Sequence, residues 1–193
     1  MAELGGAVPT LRTQRLVLRD WTDADLEPFA ELNADPEVMR YFRAPLERAE
    51  SDAMAERIRA RLGENGWGLW AVEVVGGAAF IGFVGLAMQS FQAHFTPAVE
   101  VGWRLGRASW GHGYAVEAAR AALEVGFGAG LDEIVSMTSV TNHKSRRVMQ
   151  KLGLTRDPAD DFEHPALPEG HPLRPHVLYR IAAPSATQPG GQS

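Results

Sequence analysis

Residues Glu100–Ala115 read E-V-G-W-R-L-G-R-A-S-W-G-H-G-Y-A and run without a break into the stretch Val116–Phe127. Val99, Val101 and Trp103 alternate with Glu100, Gly102 and Arg104, a period of two that predicts a strand. Val116–Phe127 is patterned as a helix, so the whole segment reads as a strand, a glycine loop and a helix N-terminus in series. Gly111 and Gly113 let the main chain approach a ligand closely. The unpaired N–H groups that open the helix point toward that ligand, and the helix dipole favours negative charge. Such a device binds anions, and a pyrophosphate fits it.

The spacing narrows the choice of cradle. A dinucleotide fingerprint needs a third glycine or an alanine where Val116 stands, and a P-loop needs Gly-Lys-Ser/Thr, which is absent. Trp110-Gly111-His112-Gly113-Tyr114-Ala115 instead resembles the acyl-CoA loop of the GNAT superfamily of N-acetyltransferases, Gln/Arg-x-x-Gly-x-Gly/Ala after a strand that carries a carboxylate. Trp110 stands where Gln or Arg is usual, and with Glu117-Ala118 following, the loop is similar to the RimJ/RimL branch. The likeness continues in Thr13-x-Arg15-Leu16-x-Leu18-Arg19-x-Trp21, in Asn142-x-x-Ser145 with Lys151-Leu152-Gly153-Leu154, and in His171-Pro172-Leu173 to Tyr179. It spans about Leu11 to Ile181.

Composition agrees with one domain. A chain of 193 residues with 45% hydrophobic content can bury a full core by itself, and residues 1–183 read as a single domain. The tail 184–193 is small, polar and rich in Pro and Gly, and is expected to be disordered. Zero cysteines exclude disulfides, thiolate metal sites and a cysteine nucleophile. The net charge of −5 argues against nonspecific nucleic-acid binding and suits a cationic amine acceptor. The N-terminus has neither a basic nor an apolar targeting region, and no stretch is apolar enough to span a bilayer, so the expectation is a cytoplasmic protein without a membrane partner.

Strands are expected at Leu16–Arg19, Gly68–Val74, Ala79–Leu86, the segment of Glu100, Glu133–Val140 and Val177–Ile181. Helices are expected from Thr22 to about Asn33, from about Pro45 to a C-cap at Gly63, over Val116–Phe127, and over Lys144–Leu152. Between the first two helices lies the aromatic and basic connection Met39-Arg40-Tyr41-Phe42-Arg43, and Asp157–Pro175 reads as mostly irregular. Strands first, then alternating helix and strand, make an α+β class. The resemblance implies a mixed, mostly antiparallel sheet of about six to seven strands flanked by about four helices, with the first helix pair bordering the acceptor site.

Acetyl transfer from a thioester to an amine needs a neutral amine, a polarised carbonyl and a stabilised departing thiolate. Amines with pKa near about 8 to 10.4 are mostly protonated at neutral pH, so a base is required. The resemblance makes Glu100 that base, directly or through water; the alternative is a strand glutamate facing solvent on an edge. It also implies that main-chain N–H groups near Trp103 and Leu105, at a bulge, polarise the carbonyl. Many family members carry a tyrosine seven residues after the Asn of the Asn-x-x-Ala/Ser block. Met149 stands there, and Ser145 is the substitute proton donor, or else a helix-start residue. Asn142 is either a contact to the cofactor arm or an N-cap.

Trp110, Gly111, His112, Gly113, Tyr114 and Ala115 complete the implied cofactor set, with acetyl-CoA as co-substrate. Lys144, Arg146 and Arg147 are either phosphate contacts or a solvated helix face. Arg107 and His112 flank the cradle, and Glu117 reads as a complement to the helix dipole. His164, His171 and His176 match no zinc spacing, so no metal is expected. The acceptor is expected to be a primary amine, on a protein N-terminus or a small molecule, attacking directly in a ternary complex. The alternatives are a different acyl group, or an acyl-CoA-binding module without turnover. A homodimer and a monomer both stay open.

Overall fold

The computed structural model describes residues 8–184. Within them the chain forms β1 (Leu11–Arg12), β2 (Leu16–Arg19), α1 (Leu26–Ala34), α2 (Arg48–Asn65), β3 (Leu69–Val74), β4 (Gly82–Gln89) and β5 (Ala98–Leu105). There follow α3 (Tyr114–Gly128), β6 (Glu133–Ser139), α4 (His143–Lys151), β7 (Phe162–Glu163) and β8 (Pro175–Ala182). The eight strands make one sheet in the order β1-β2-β3-β4-β5-β6-β8-β7. Every pair is antiparallel except β5 with β6, whose parallel join requires a crossover, and α3 is that crossover.

Helices cover both faces. Gly126 of α3 abuts Leu86 and Ile134 on one face, and Phe29 of α1 meets Phe83 at 6.0 Å between ring centres on the other. Leu86 and Phe83 are an odd number of residues apart on β4, so their side chains point to opposite sides of the sheet. Trp21 packs edge-on against Phe29 and donates its indole N–H to the Leu69 carbonyl at 2.8 Å, tying the entry to α1 onto β3. Asp25 accepts the Thr22 N–H at 2.7 Å and pairs with Arg19 at 2.8 Å, anchoring the turn that opens α1.

Two expectations change. α2 does not end at Gly63 but continues to Asn65. Gly66 then adopts the left-handed conformation, φ 70°, and donates its N–H to the Leu62 carbonyl. A glycine inside a helix costs about 1 kcal/mol, which burial of Ala55, Ile58 and Leu62 readily offsets. No bulge interrupts β5 against β4: the register runs unbroken from Gly82↔Leu105 to Gln89↔Ala98. The excursion 157–175 is mostly irregular, as expected, apart from a 3-10 turn at Pro158–Asp160 and Phe162–Glu163, which pairs with the start of β8. The tail beyond Pro184 and the N-terminal segment before Val8 lie outside the described residues.

Candidate active site

In place of a bulge, β5 parts from β6 on its other edge. β5 and β6 pair at Glu100↔Val135, and the Ser136 hydroxyl donates to the Val101 carbonyl at 2.9 Å. Past that point no ladder pair joins the two strands, while the other edge of β6 stays paired to β8 from Glu133↔Ala182 to Ser139↔His176. The strands fork. Val101, Trp103 and Leu105 share one pleat parity, so their main-chain N–H and C=O groups face the fork. The fork joins both faces of the sheet into a cleft of about 1120 Å³.

On the α3 side the wall is the glycine loop and α4. Gly111 and Gly113 have φ 80° and 81°, in the left-handed region that L side chains rarely adopt, and Gly113 directly precedes the first residue of α3. A Cβ at Gly111 would meet nothing within 4 Å, and one at Gly113 only Arg15 Nη2 at 3.6 Å, so backbone angle rather than crowding selects glycine here. The Trp110 indole donates to the Leu105 carbonyl at 2.7 Å, and Lys144 Nζ lies 4.2 Å from the Trp110 ring centre. Trp110, Gly111, Gly113, Tyr114, Ala115, Asn142 and Ser145 all line the cleft. His112 is not among the lining residues; its ring stacks on Tyr114 at 5.3 Å.

Arg15, for which the sequence suggested no role, braces this loop. Its guanidinium donates to the His112 carbonyl at 3.0 Å and lies 5.0 Å from the Tyr114 ring centre. Desolvation is the largest single influence on the Glu117 carboxyl and raises its pKa, but Thr13 Oγ1 at 2.6 Å, the Arg15 main-chain N–H at 2.9 Å and the Arg15 guanidinium together outweigh it and hold the pKa below the ordinary range. Arg107 pairs with Asp35 at 2.8 Å and is absent from the cleft lining. Arg146 donates to the Val140 carbonyl, whereas Lys144 and Arg147 line the cleft.

Asn142 caps α4. Its Oδ1 accepts the Ser145 N–H at 3.2 Å, a group that can only donate, which fixes the amide so that Nδ2 donates to Thr138 Oγ1 and Ser145 Oγ. Ser145 Oγ is therefore an acceptor toward Asn142 and keeps its own proton to give elsewhere. Met149, 1% exposed, stands in the lining below it.

On the α1–α2 side, the Glu100 carboxyl is half-buried on a strand in the interior of the sheet and opens on the cleft, which removes the reading of a solvent-facing edge residue. Burial pushes its pKa from 4.5 to about 7, against the opposing effects of the Met137 N–H and of Gln89 Nε2 at 2.7 Å. A carboxyl poised there suits proton abstraction near neutral pH. His164 and His176 also line the cleft with ring centres 4.8 Å apart, and burial lowers the pKa of each. Among the described residues no group of three or more His, Cys, Asp or Glu side chains is placed to hold a metal ion. Among them, too, no helix is long and apolar enough to cross a membrane.

Comparison with known proteins places this architecture. The chain is 32% identical over 157 residues to the FsC-acetyl coenzyme A-N(2)-transacetylase of Aspergillus fumigatus, covering 77% of this chain and 66% of that one. It is 30% identical over 154 residues to the uncharacterized N-acetyltransferase YoaA of Bacillus subtilis, covering 77% and 84%. An acetyltransferase from Agrobacterium tumefaciens superposes with a TM-score of 0.72 at 28% identity, covering 91% and 95%. The family model of the acetyltransferase (GNAT) domain matches residues 15–155. The chain thus belongs to the GNAT acetyltransferase family and is an acyltransferase of the kind that performs acetyl-CoA-dependent N-acetylation.

Proposed function

We propose that this protein transfers the acetyl group of acetyl-CoA to a primary amine by direct attack in a ternary complex, as a single-domain, cytoplasmic, RimJ/RimL-like enzyme. The observation that carries this reading is the half-buried Glu100 carboxyl, its pKa raised to about 7, opening on the same cleft as the glycine loop. The loop fits a pyrophosphate: two left-handed glycines expose main-chain N–H groups at the start of α3, with Lys144 and Arg147 on the adjoining wall.

Bound acetyl-CoA supplies the activated acetyl group as a thioester. Glu100 takes the proton of the acceptor ammonium, directly or through water, and frees its lone pair. The N–H groups on the fork edge of β5, at Trp103 and Leu105, donate to the carbonyl oxygen as charge gathers on it. As the new C–N bond forms and the C–S bond breaks, Ser145 Oγ donates to the departing sulfur, a role open to it because Asn142 occupies its acceptor side. Met149, at the position of the usual tyrosine, has no proton to offer.

The test is thiol release across amines, with Glu100→Gln as the control. Turnover with at least one primary amine that collapses in Glu100→Gln is the expected result. Tight acetyl-CoA binding without turnover on peptides, polyamines, amino acids and aminoglycosides would instead make the protein a binding module.

A further inference from the structure

β5 turns Glu100, Gly102 and Arg104 to one face, and all three line the cleft on the α1–α2 side. Gly102 leaves the floor between them open, since a Cβ there would meet nothing within 4 Å. At the far end of this floor is a cation in an unusual position. Arg104 is only 8% exposed, yet among the described residues it forms no salt bridge, and its Nε is buried without a hydrogen-bond partner. Its neighbours are neutral. Nη1 donates to Asn33 Oδ1 and lies 3.8 Å from Met54 Sδ, while the Phe42 and Phe83 rings stand 4.1 and 5.4 Å from Cζ.

The setting is built to keep the guanidinium in place. Ser51 accepts from Asn33 Nδ2 at 2.9 Å, which orients Oδ1 toward Arg104. A charge withdrawn from water with no counter-charge is costly, and proteins elsewhere pair it, as this one does at Arg19 with Asp25 and Glu73. Two further arginines of the cleft wall, Arg40 and Arg43, also form no salt bridge among the described residues, and the only carboxyl groups in the cleft lining among those residues are Glu37 and Glu100. The local balance is thus cationic in a chain whose net charge is −5.

We infer that the acceptor is an amine that also carries an oxyanion, a carboxylate or a phosphate, and that Arg104 binds that group while the amine lies at Glu100. This rests on the transferase reading above and sharpens its substrate class. A strand rises about 3.3 Å per residue, so the two Cα atoms are on the order of 13 Å apart. An acceptor lying over Gly102 has its amine and oxyanion several bonds apart, not on adjacent atoms.

The experiment compares matched amines at saturating acetyl-CoA: 5-aminopentanoate with pentylamine, and 3-aminopropyl phosphate with propylamine. The oxyanion-bearing member of a pair is expected to have the higher kcat/KM by about 10- to 100-fold, as for a charge-assisted contact in a dry site, and the pair with the larger ratio names the source. In Arg104→Met the ratio should fall to near one, and Arg104→Lys, which keeps the charge, should restore part of it. Equal rates within both wild-type pairs, or an undiminished ratio in folded Arg104→Met, would overturn the inference while leaving an active acetyltransferase. If Arg104→Met does not fold, competitive inhibition of wild type by pentanoate but not by pentanol supports the inference, and equal or absent inhibition refutes it. Should no amine be acetylated, the transferase reading fails by itself. Calorimetric binding of 5-aminopentanoate or 3-aminopropyl phosphate to the enzyme–CoA complex then decides for Arg104 if Arg104→Met loses it, and against if wild type shows none.

Discussion

The two walls of the cleft are made in opposite ways. The cofactor-facing part of the α3-side wall is drawn from one short stretch, Trp110 to Ala115 without His112, and offers mostly main chain. The α1–α2-side wall is drawn from side chains far apart in the chain: Phe42 in the connection, Met54 on α2 and Arg104 on β5, with Asn33 at the end of α1 holding Arg104 from behind. Main-chain chemistry needs particular backbone angles at fixed spacing, so it marks the sequence locally with glycines. Side-chain chemistry needs only that distant elements meet, and the elements leave no mark of the meeting. The difference predicts how each wall breaks. Cofactor binding should fail through backbone geometry, and acceptor chemistry through the loss of single charges.

The largest effect is expected at Glu100. Glu100→Gln keeps the shape and removes the base, so turnover below the amine's pKa should fall about 10²- to 10⁴-fold with little change in acetyl-CoA affinity. In the wild type, kcat/KM for the acceptor should rise as pH passes through about 7, where the buried carboxyl loses its proton. A profile flat from pH 6 to 8 would assign the base elsewhere. The same group gives a stability signature of opposite sense. Its pKa is higher folded than unfolded, so the stabilisation from its proton is complete below about 4.5 and is lost as pH rises through about 7. Glu100→Gln cannot ionise, and its melting temperature should gain on the wild type between pH 5 and pH 8.

Next is the cradle. At φ 81° a branched residue in place of Gly113 is strained by about 1 to 2 kcal/mol, so the loop should shift and acetyl-CoA affinity drop by roughly tenfold or more. The variant should still fold, since the new Cβ meets only Arg15 Nη2 at 3.6 Å. Calorimetry on folded Gly113→Val settles it; unchanged affinity would remove the cofactor from this loop.

These two walls also mark where sequence reading stopped. The period-two and helical patterns located β2 to β6, β8 and all four helices, because each buries a continuous face. They missed β1 and β7, whose two residues are too few to carry a period. Gly63 looked like a stop because a helix C-cap favours glycine, but so does Gly66, and only tertiary burial of Leu62 chooses between them. The alternation placed Glu100 and Arg104 on one face of a strand. It could not say that the face is closed over by α1 and α2, which is what turns a surface arginine into a buried, unpaired one. Arg15 stood in a quoted block with no assigned purpose, since its partners at His112 and Glu117 lie about a hundred residues away.

That brace yields a smaller prediction on the cradle side. Glu117 has its pKa lowered by Thr13 and Arg15, so its contribution is present above the unfolded value and fades as pH falls through the folded one. Arg15 is well exposed, and after screening the loss in Glu117→Gln should be about 1 kcal/mol at pH 7 and less at pH 4, read by denaturant titration. An equal loss at both values would mean that shape rather than charge matters.

The smallest effect tests the residue that stands between the two walls in character. Ser145 belongs to the α4 wall, but its proposed task depends on one side-chain proton. With Asn142 Nδ2 donating into Oγ, the hydroxyl can donate toward the departing sulfur without giving up its place at the helix start. A bond that strengthens as charge develops affects turnover more than binding, so Ser145→Ala should lower kcat with acetyl-CoA affinity nearly unchanged. The drop should be about three- to tenfold, because a serine hydroxyl is a weak acid, a thiolate with a reference pKa near 8.5 leaves readily, and water can stand in. Restoring a phenol by Met149→Tyr meets an obstacle, since Met149 is 1% exposed and a larger ring there overpacks the cleft floor. Single-turnover measurement separates the outcomes. A Ser145→Ala enzyme with wild-type turnover when chemistry limits the rate leaves the serine as part of the α4 cap alone. A fall in acetyl-CoA affinity with turnover intact makes it a binding contact of the main-chain wall.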